Sequence, residues 1–90
     1  MVRINAIVIT YNESANIKEC LESLNWCDEI IVVDSGSSDN TCEIALEYTN
    51  NITISGNKPY GEKRNIGIER ATADWIIWLD ADERVSPELK

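Results

Sequence analysis

The chain contains no histidine, and its three cysteines, Cys20, Cys27 and Cys42, include no pair at Cys-x-x-Cys spacing. Structural zinc sites are built from sets of thiolates and imidazoles, so this composition argues against one. An odd number of cysteines without framework spacing suits small apolar residues in a reducing compartment better than disulfides. Basic residues are scarce as well. Eight lysines and arginines stand against 16 aspartates and glutamates, a net charge of −8. Binding a nucleic-acid backbone requires a basic surface, so nucleic acid is not an expected partner. Long apolar runs are also missing. Residues 4–9 fall far short of the roughly 20 that a membrane-spanning helix needs, and no cleavage site follows them. Repeats, low-complexity segments and linkers are absent. The expectation is a single small cytoplasmic domain without a transmembrane segment, free to work at the inner face of a membrane.

What is present is a regular alternation of two kinds of segment. Residues 4–9, 29–33 and 75–79 are nearly continuous runs of apolar and β-branched side chains. Such runs suit strands covered on both faces, as in a parallel sheet. Residues 51–54 form a weaker strand of the same kind. Between the first two strands Ile17, Cys20, Leu21 and Leu24 recur at the i, i+3, i+4, i+7 spacing of an amphipathic helix, which Asn12 or Ser14 could cap. A second helix is expected over 40–48, with Asn40 and Glu43 spaced as a capping box. A third is expected over about 62–71, although Ile66, Gly67 and Ile68 make no clean stripe. The resulting β-α-β-α-β-α-β order, with short connections, predicts a parallel α/β sheet with helices on both faces.

In such open sheets ligands bind beyond the carboxyl ends of the strands. The unusual polar residues gather there: Thr10, Tyr11, Asn12 and Glu13 after the first strand, Asp34 to Ser37 after the second, Asp80 to Glu83 after the last. Asp80 and Asp82 are two apart, so at strand spacing their carboxylates share a side. That pattern suits a hard divalent cation with oxygen ligands, magnesium or manganese, which would also make an acidic pocket hospitable to phosphate. A solvated turn is the plainer alternative. Asp34 either accepts hydrogen bonds from a base or ribose or caps the next helix, and Asp39 reads as a cap. Lys63 and Arg64 open the third helix; Arg64 could pair with a carboxylate, lie against a nucleotide or be a surface charge. Trp75 and Trp78 point to opposite faces of one strand and read as core.

The blocks AIVITYNESANIKECLESL, EIIVVDSGSSDNTCEIA and GEKRNIGIERATADWIIWLDADE resemble, in order and spacing, the successive blocks of family 2 glycosyltransferases of the GT-A fold. WCDEIIVVDSGSSDNT and LDADERVSPEL further resemble the bacterial branch that transfers sugars to lipopolysaccharide core. The resemblance implies a Rossmann-like half-domain of about four parallel strands in the order 3-2-1-4. It implies an inverting transferase that takes a nucleotide-diphosphate sugar, commonly a UDP-sugar, with a divalent metal, and a glycan or glycolipid acceptor. Carried over by position, Thr10, Tyr11, Asn12 and Glu13 would line the nucleotide pocket and Asp34 would contact the base. Arg64 would lie against the nucleotide, Asp80 would approach the ribose or the metal's water shell, and Asp82 would ligate the metal. Ala73 departs from the glycine common at its position. The family's catalytic base lies beyond Lys90, so no residue here is expected to be that base, Glu83 and Glu88 included. The alternative is a non-catalytic module that docks onto a polypeptide supplying the acceptor half, with self-association through an exposed sheet edge as a related possibility.

Overall fold

A computed structural model describes residues 3–56, 58–71 and 73–81, apart from the side chain of Tyr60. Seven elements alternate along the chain: β1 (Ile4–Thr10), α1 (Ile17–Glu22), β2 (Glu29–Asp34), α2 (Thr41–Ala45), β3 (Ile52–Ile54), α3 (Tyr60–Arg70) and β4 (Trp75–Asp80). The four strands form one sheet in the order β3-β2-β1-β4, and every pairing is parallel. This is the expected α/β architecture.

Alternation along β1 explains how one short strand serves two cores. Ala6 and Val8 point to one face, where they meet Ile17, Cys20, Leu21 and Leu24 from the α1 region and Ala45 of α2. Ile7 and Ile9 point to the other, with Ile31 and Val33, against Ile66 and Ala71 from the α3 side and Ile76 and Trp78 of β4. Successive side chains of a strand face opposite ways, so a fully apolar run is what a sheet with helices on both sides requires. Among the described residues no helix is long and apolar enough to cross a membrane.

Helix α3 reaches the sheet through a gap in its side chains. A Cβ built on Gly67 would stand 2.6 Å from Cγ2 of Ile7 and 3.0 Å from its Cδ1. The helix face against β1 therefore carries no side chain at its closest point, which is why its hydrophobic stripe looks broken in the sequence.

Four local expectations need correction. Neither Asn12 nor Ser14 caps α1: the residue before that helix is Asn16, and its side chain makes no cap hydrogen bond. The Asn40–Glu43 capping box is not formed either, because Asn40 makes no side-chain cap bond and Asp39 takes over that end. Trp75 is not core. It is 63% exposed, since β4 is an edge strand and neither α1 nor α2 reaches over its first residue. Helix α2 is also shorter than expected, giving way after Ala45 to turns through Tyr48 and Thr49 that bond back to Ala45.

Gly67→Ala should lower stability by about 1–2 kcal/mol, the overpacking penalty exceeding the helix-propensity gain of alanine. Urea denaturation measures it; an alanine variant at least as stable as the parent would contradict the close approach.

Candidate functional site: a cleft at the carboxyl edge of the sheet

The three polar residues expected to follow the strands are instead their last members. Thr10 ends β1, Asp34 ends β2 and Asp80 ends β4. Register then fixes their relation. Thr10 lies opposite Asp34, and Ile9 opposite Asp80, so the two aspartates flank the end of the central strand. The ladder continues one step beyond: Ser35 N–H donates to the Thr10 carbonyl at 2.9 Å, and Ala81 N–H to that of Ile9 at 3.1 Å. Neighbouring strands lie about 4.8 Å apart, so these groups belong to a single edge.

Asp34 is fully buried, and its carboxylate is turned back on its own loop. One oxygen accepts from the backbone N–H of Gly36 at 2.9 Å and of Ser37 at 2.7 Å, and the other from the Ser37 hydroxyl at 2.5 Å. Gly36 makes that reversal at φ +106°, a conformation that side chains rarely tolerate. The Cys42 thiol sits against the same carboxylate. Burial first, then the charge and hydrogen bonding of Asp34, push its pKa up to about 11, so it is an inert thiol.

The Asp34 loop is in turn stitched to the loop after β1. Asn12 stands at φ +50°, which asparagine tolerates better than most residues. Its N–H donates to Ser37 Oγ at 2.8 Å, and its side-chain oxygen accepts from Ser38 N–H at 2.8 Å. Glu13 N–H donates to the buried Thr41 hydroxyl at 3.0 Å, and Ser14 N–H to Asp39 at 3.2 Å. Asp39 also accepts from Thr41 N–H at 3.0 Å and from the Thr41 hydroxyl, so it does cap α2. The Thr41 hydroxyl is the main cause holding Asp39 below the usual carboxylate range, ahead of an opposing effect of desolvation. As a depressed acid, Asp39 supports the folded state at neutral pH and loses that contribution as pH falls through its lowered pKa.

Above these pinned loops lies an open cleft of two adjoining hollows. One, of about 560 Å³, is lined by Tyr11, Ser35, Gly36 and Lys63. The other, of about 320 Å³, is lined by Ile9, Thr10, Tyr11, Glu13, Ser35, Lys63, Asp80 and Ala81. Tyr11, Ser35 and Lys63 are common to both. In the floor, the buried hydroxyls of Thr10 and Ser35 have no hydrogen-bond partner among the described residues. Leaving such a group unpaired costs roughly 1–3 kcal/mol, a penalty that a polar ligand or water reaching it would offset.

The structure thus brings Thr10, Tyr11, Glu13 and Asp80 together in one cleft. Asn12 lies outside its lining, engaged with Ser37 and Ser38, and Asp34 lies beneath it. Arg64 is placed elsewhere: its guanidinium stacks 4.5 Å from the centroid of the Trp78 ring, an attraction between a cation and the electron-rich face of an indole. One position earlier on α3, about 100° around the helix, Lys63 reaches the cleft instead. Asp82 lies outside the described residues, as do Glu83 and Glu88. Among the described residues no group of three or more potential ligands is close enough to hold a metal. The acids that line the cleft, Glu13 and Asp80, offer oxygen only, a donor chemistry that fits a hard divalent cation. Ser35 fell within the polar segment expected at this edge and Lys63 was noted at the start of the third helix, but neither was given a role in the site. A serine after an acid and a lysine beside an arginine carry no distinctive signal, and only strand register and helix phase select them.

A polar cleft across the carboxyl ends of the central strands is the place where open parallel α/β sheets take their ligands. The chain belongs to glycosyl transferase family 2, whose sequence profile matches residues 5–90. It is 32% identical over 92 residues to the lipopolysaccharide core biosynthesis glycosyltransferase LpsC of Rhizobium meliloti (strain 1021), covering 97% of this chain and 34% of that protein. The crystal structure of S. aureus TarS 1-349 superposes with a TM-score of 0.81 at 29% identity, over 97% of this chain and 29% of that one. The fold is shared too with glucosyl-3-phosphoglycerate synthase from Mycobacterium tuberculosis, crystallised with Mn2+, UDP and glucosyl-3-phosphoglycerate. That match has a TM-score of 0.77 at 22% identity, over 92% of this chain and 36% of that one. The chain spans about a third of the length of the curated relatives it matches.

Ser37→Ala removes one donor to Asp34 and the acceptor of Asn12 N–H together. It should cost about 1–3 kcal/mol and speed amide exchange at Asn12. Hydrogen exchange read by NMR checks this; unchanged protection at Asn12 would contradict the stitching of the two loops.

Proposed function

We propose that this chain is the donor-binding part of an inverting glycosyltransferase that uses a nucleotide-diphosphate sugar, UDP-linked, with a divalent metal. The observation that carries the reading is the register that lines up Thr10, Asp34 and Asp80 along one sheet edge under a polar cleft. Family membership supplies the reaction class, and the shared fold of the UDP- and Mn2+-bound mycobacterial synthase is consistent with it.

In this reading Tyr11 and Glu13 line the nucleotide pocket, with Glu13 near ribose or base. Thr10 offers its buried hydroxyl from the floor. Asn12 and Asp34 act on the nucleotide through the loop they shape rather than by direct contact, because the Asp34 carboxylate and the Asn12 side-chain oxygen are already engaged. Asp80 approaches the ribose or the metal's water shell, and Asp82 ligates the metal. Arg64 steadies β4 through Trp78 and would meet the nucleotide only by leaving that ring. A bound magnesium or manganese ion would supply positive charge to the departing diphosphate. In the transfer, the acceptor hydroxyl oxygen bonds to the anomeric carbon as the bond from that carbon to the diphosphate breaks. The hydroxyl proton passes to a base that the described residues do not supply. The likeness to LpsC favours a lipopolysaccharide core or similar cell-surface glycan as acceptor, and a cytoplasmic working site.

Calorimetric titration with UDP should show binding that manganese strengthens and that Asp82→Ala weakens by about tenfold or more in its presence. UDP affinity indifferent both to manganese and to Asp82→Ala would contradict the metal role.

A further inference from the structure

The cleft has an electrostatic difficulty. Its lining includes two carboxylates, Glu13 and Asp80, in a chain of net charge −8, and a diphosphate would enter against that field. Among the described basic residues, Lys63 alone lines the cleft, and it lines both hollows. The others are committed elsewhere or lie away from it. Arg64 stacks on Trp78, and Arg70 donates from Nε to the Asn51 side chain at 2.5 Å. Lys58 borders a separate hollow with Glu62, Asn65, Ile66 and Glu69. Arg3 and Lys18 line neither hollow.

Lys63 is half-buried, and its side chain makes no ion pair or hydrogen bond with any described residue. A lysine on an acidic protein can generally find a carboxylate at its surface. Here Lys63 instead lines the cleft together with Tyr11 and Ser35, its ammonium uncommitted among the described residues. That disposition suits a point charge waiting for an anionic ligand, since a lysine offers three rotatable donors and no fixed fork.

We propose that Lys63 gives the cleft a cation of its own, so that the nucleotide diphosphate is held by protein charge as well as by metal. The inference rests on the nucleotide reading above and extends it. Lys63 sits in the first turns of α3, an element separate from the segment that carries Asp82, so a metal held by Asp82 and the Lys63 ammonium would be independent sources of positive charge. Part of the affinity for UDP therefore survives removal of the metal, and that part belongs to Lys63. The contribution is electrostatic, falls with ionic strength, and is specific to phosphate rather than to the nucleoside.

The test is UDP and uridine binding to the 90-residue chain in excess chelator, at low and physiological salt, for the parent, Lys63→Gln, Lys63→Arg and Lys58→Gln. Lys58→Gln removes the same charge from outside the cleft, and circular dichroism verifies that each variant is folded. Lys63→Gln should weaken metal-free UDP binding about fivefold at low salt, the scale of a partly exposed charge-assisted contact. Lys63→Arg should retain most of the binding, Lys58→Gln should match the parent, and uridine binding should be unchanged throughout. The proposal is overturned if the folded parent binds no UDP without metal, if Lys63→Gln binds as the parent does, if Lys58→Gln is equally impaired, or if uridine loses as much as UDP. Absence of UDP binding with manganese present would instead remove the nucleotide reading, and this inference with it.

Discussion

The site depends on β1 being held in parallel register between β2 and β4. That strand is buried from Asn5 to Thr10 and serves both cores, so it cannot slide by one residue without turning Ala6 and Val8 toward α3 and Ile7 and Ile9 toward α1. Because the register is fixed by packing, the ends of the strands are fixed as well. Thr10, Asp34 and Asp80 are therefore placed by hydrophobic burial several residues away. The polar edge inherits its geometry from the apolar centre.

What the strands leave open, the loops close with hydrogen bonds. Asp34 spends its carboxylate on Gly36 and Ser37, and Ser37 passes the constraint to Asn12. Thr41 and Asp39 do the same for Glu13 and Ser14. Two loops from different βα units thus behave as one wall, and they present Tyr11 and Ser35 to the cleft. A burial of charge that would be costly alone is tolerable because each oxygen of Asp34 has donors. The acid, open between ligand and cap in the sequence, organises its own loop in the fold.

Strand number and the parallel α/β class were legible because they follow from apolar runs and short crossovers, and the strand order was legible from the family resemblance. That Thr10, Tyr11, Glu13 and Asp80 would meet at one edge was legible too, since polar residues close the strands there. Less could be read where a side chain's role depends on phase or on absence. Gly67 looks like a flaw in a helix stripe until Ile7 is seen beneath it. Trp75 looks like core until β4 proves to be an edge strand, and the choice between Lys63 and Arg64 turns on about 100° of helix. Asp34 is the most instructive case. Its surroundings were left open between ligand and cap, and in the fold it is buried with three donors from its own loop, none of them from a helix end.

The central claim is that the ends of β1, β2 and β4 share one nucleotide-holding cleft. Amide NMR spectra recorded with UDP and then with trace manganese test it most directly, since manganese broadens only nearby resonances. The account predicts UDP-induced shifts at Tyr11, Glu13, Ser35, Gly36 and Lys63, and manganese broadening centred on Asp80 and Ala81. Signals from Trp26 and Asp28 at the opposite edge should stay sharp. Shifts or broadening concentrated at that opposite edge, or a UDP response confined to one loop, would contradict it.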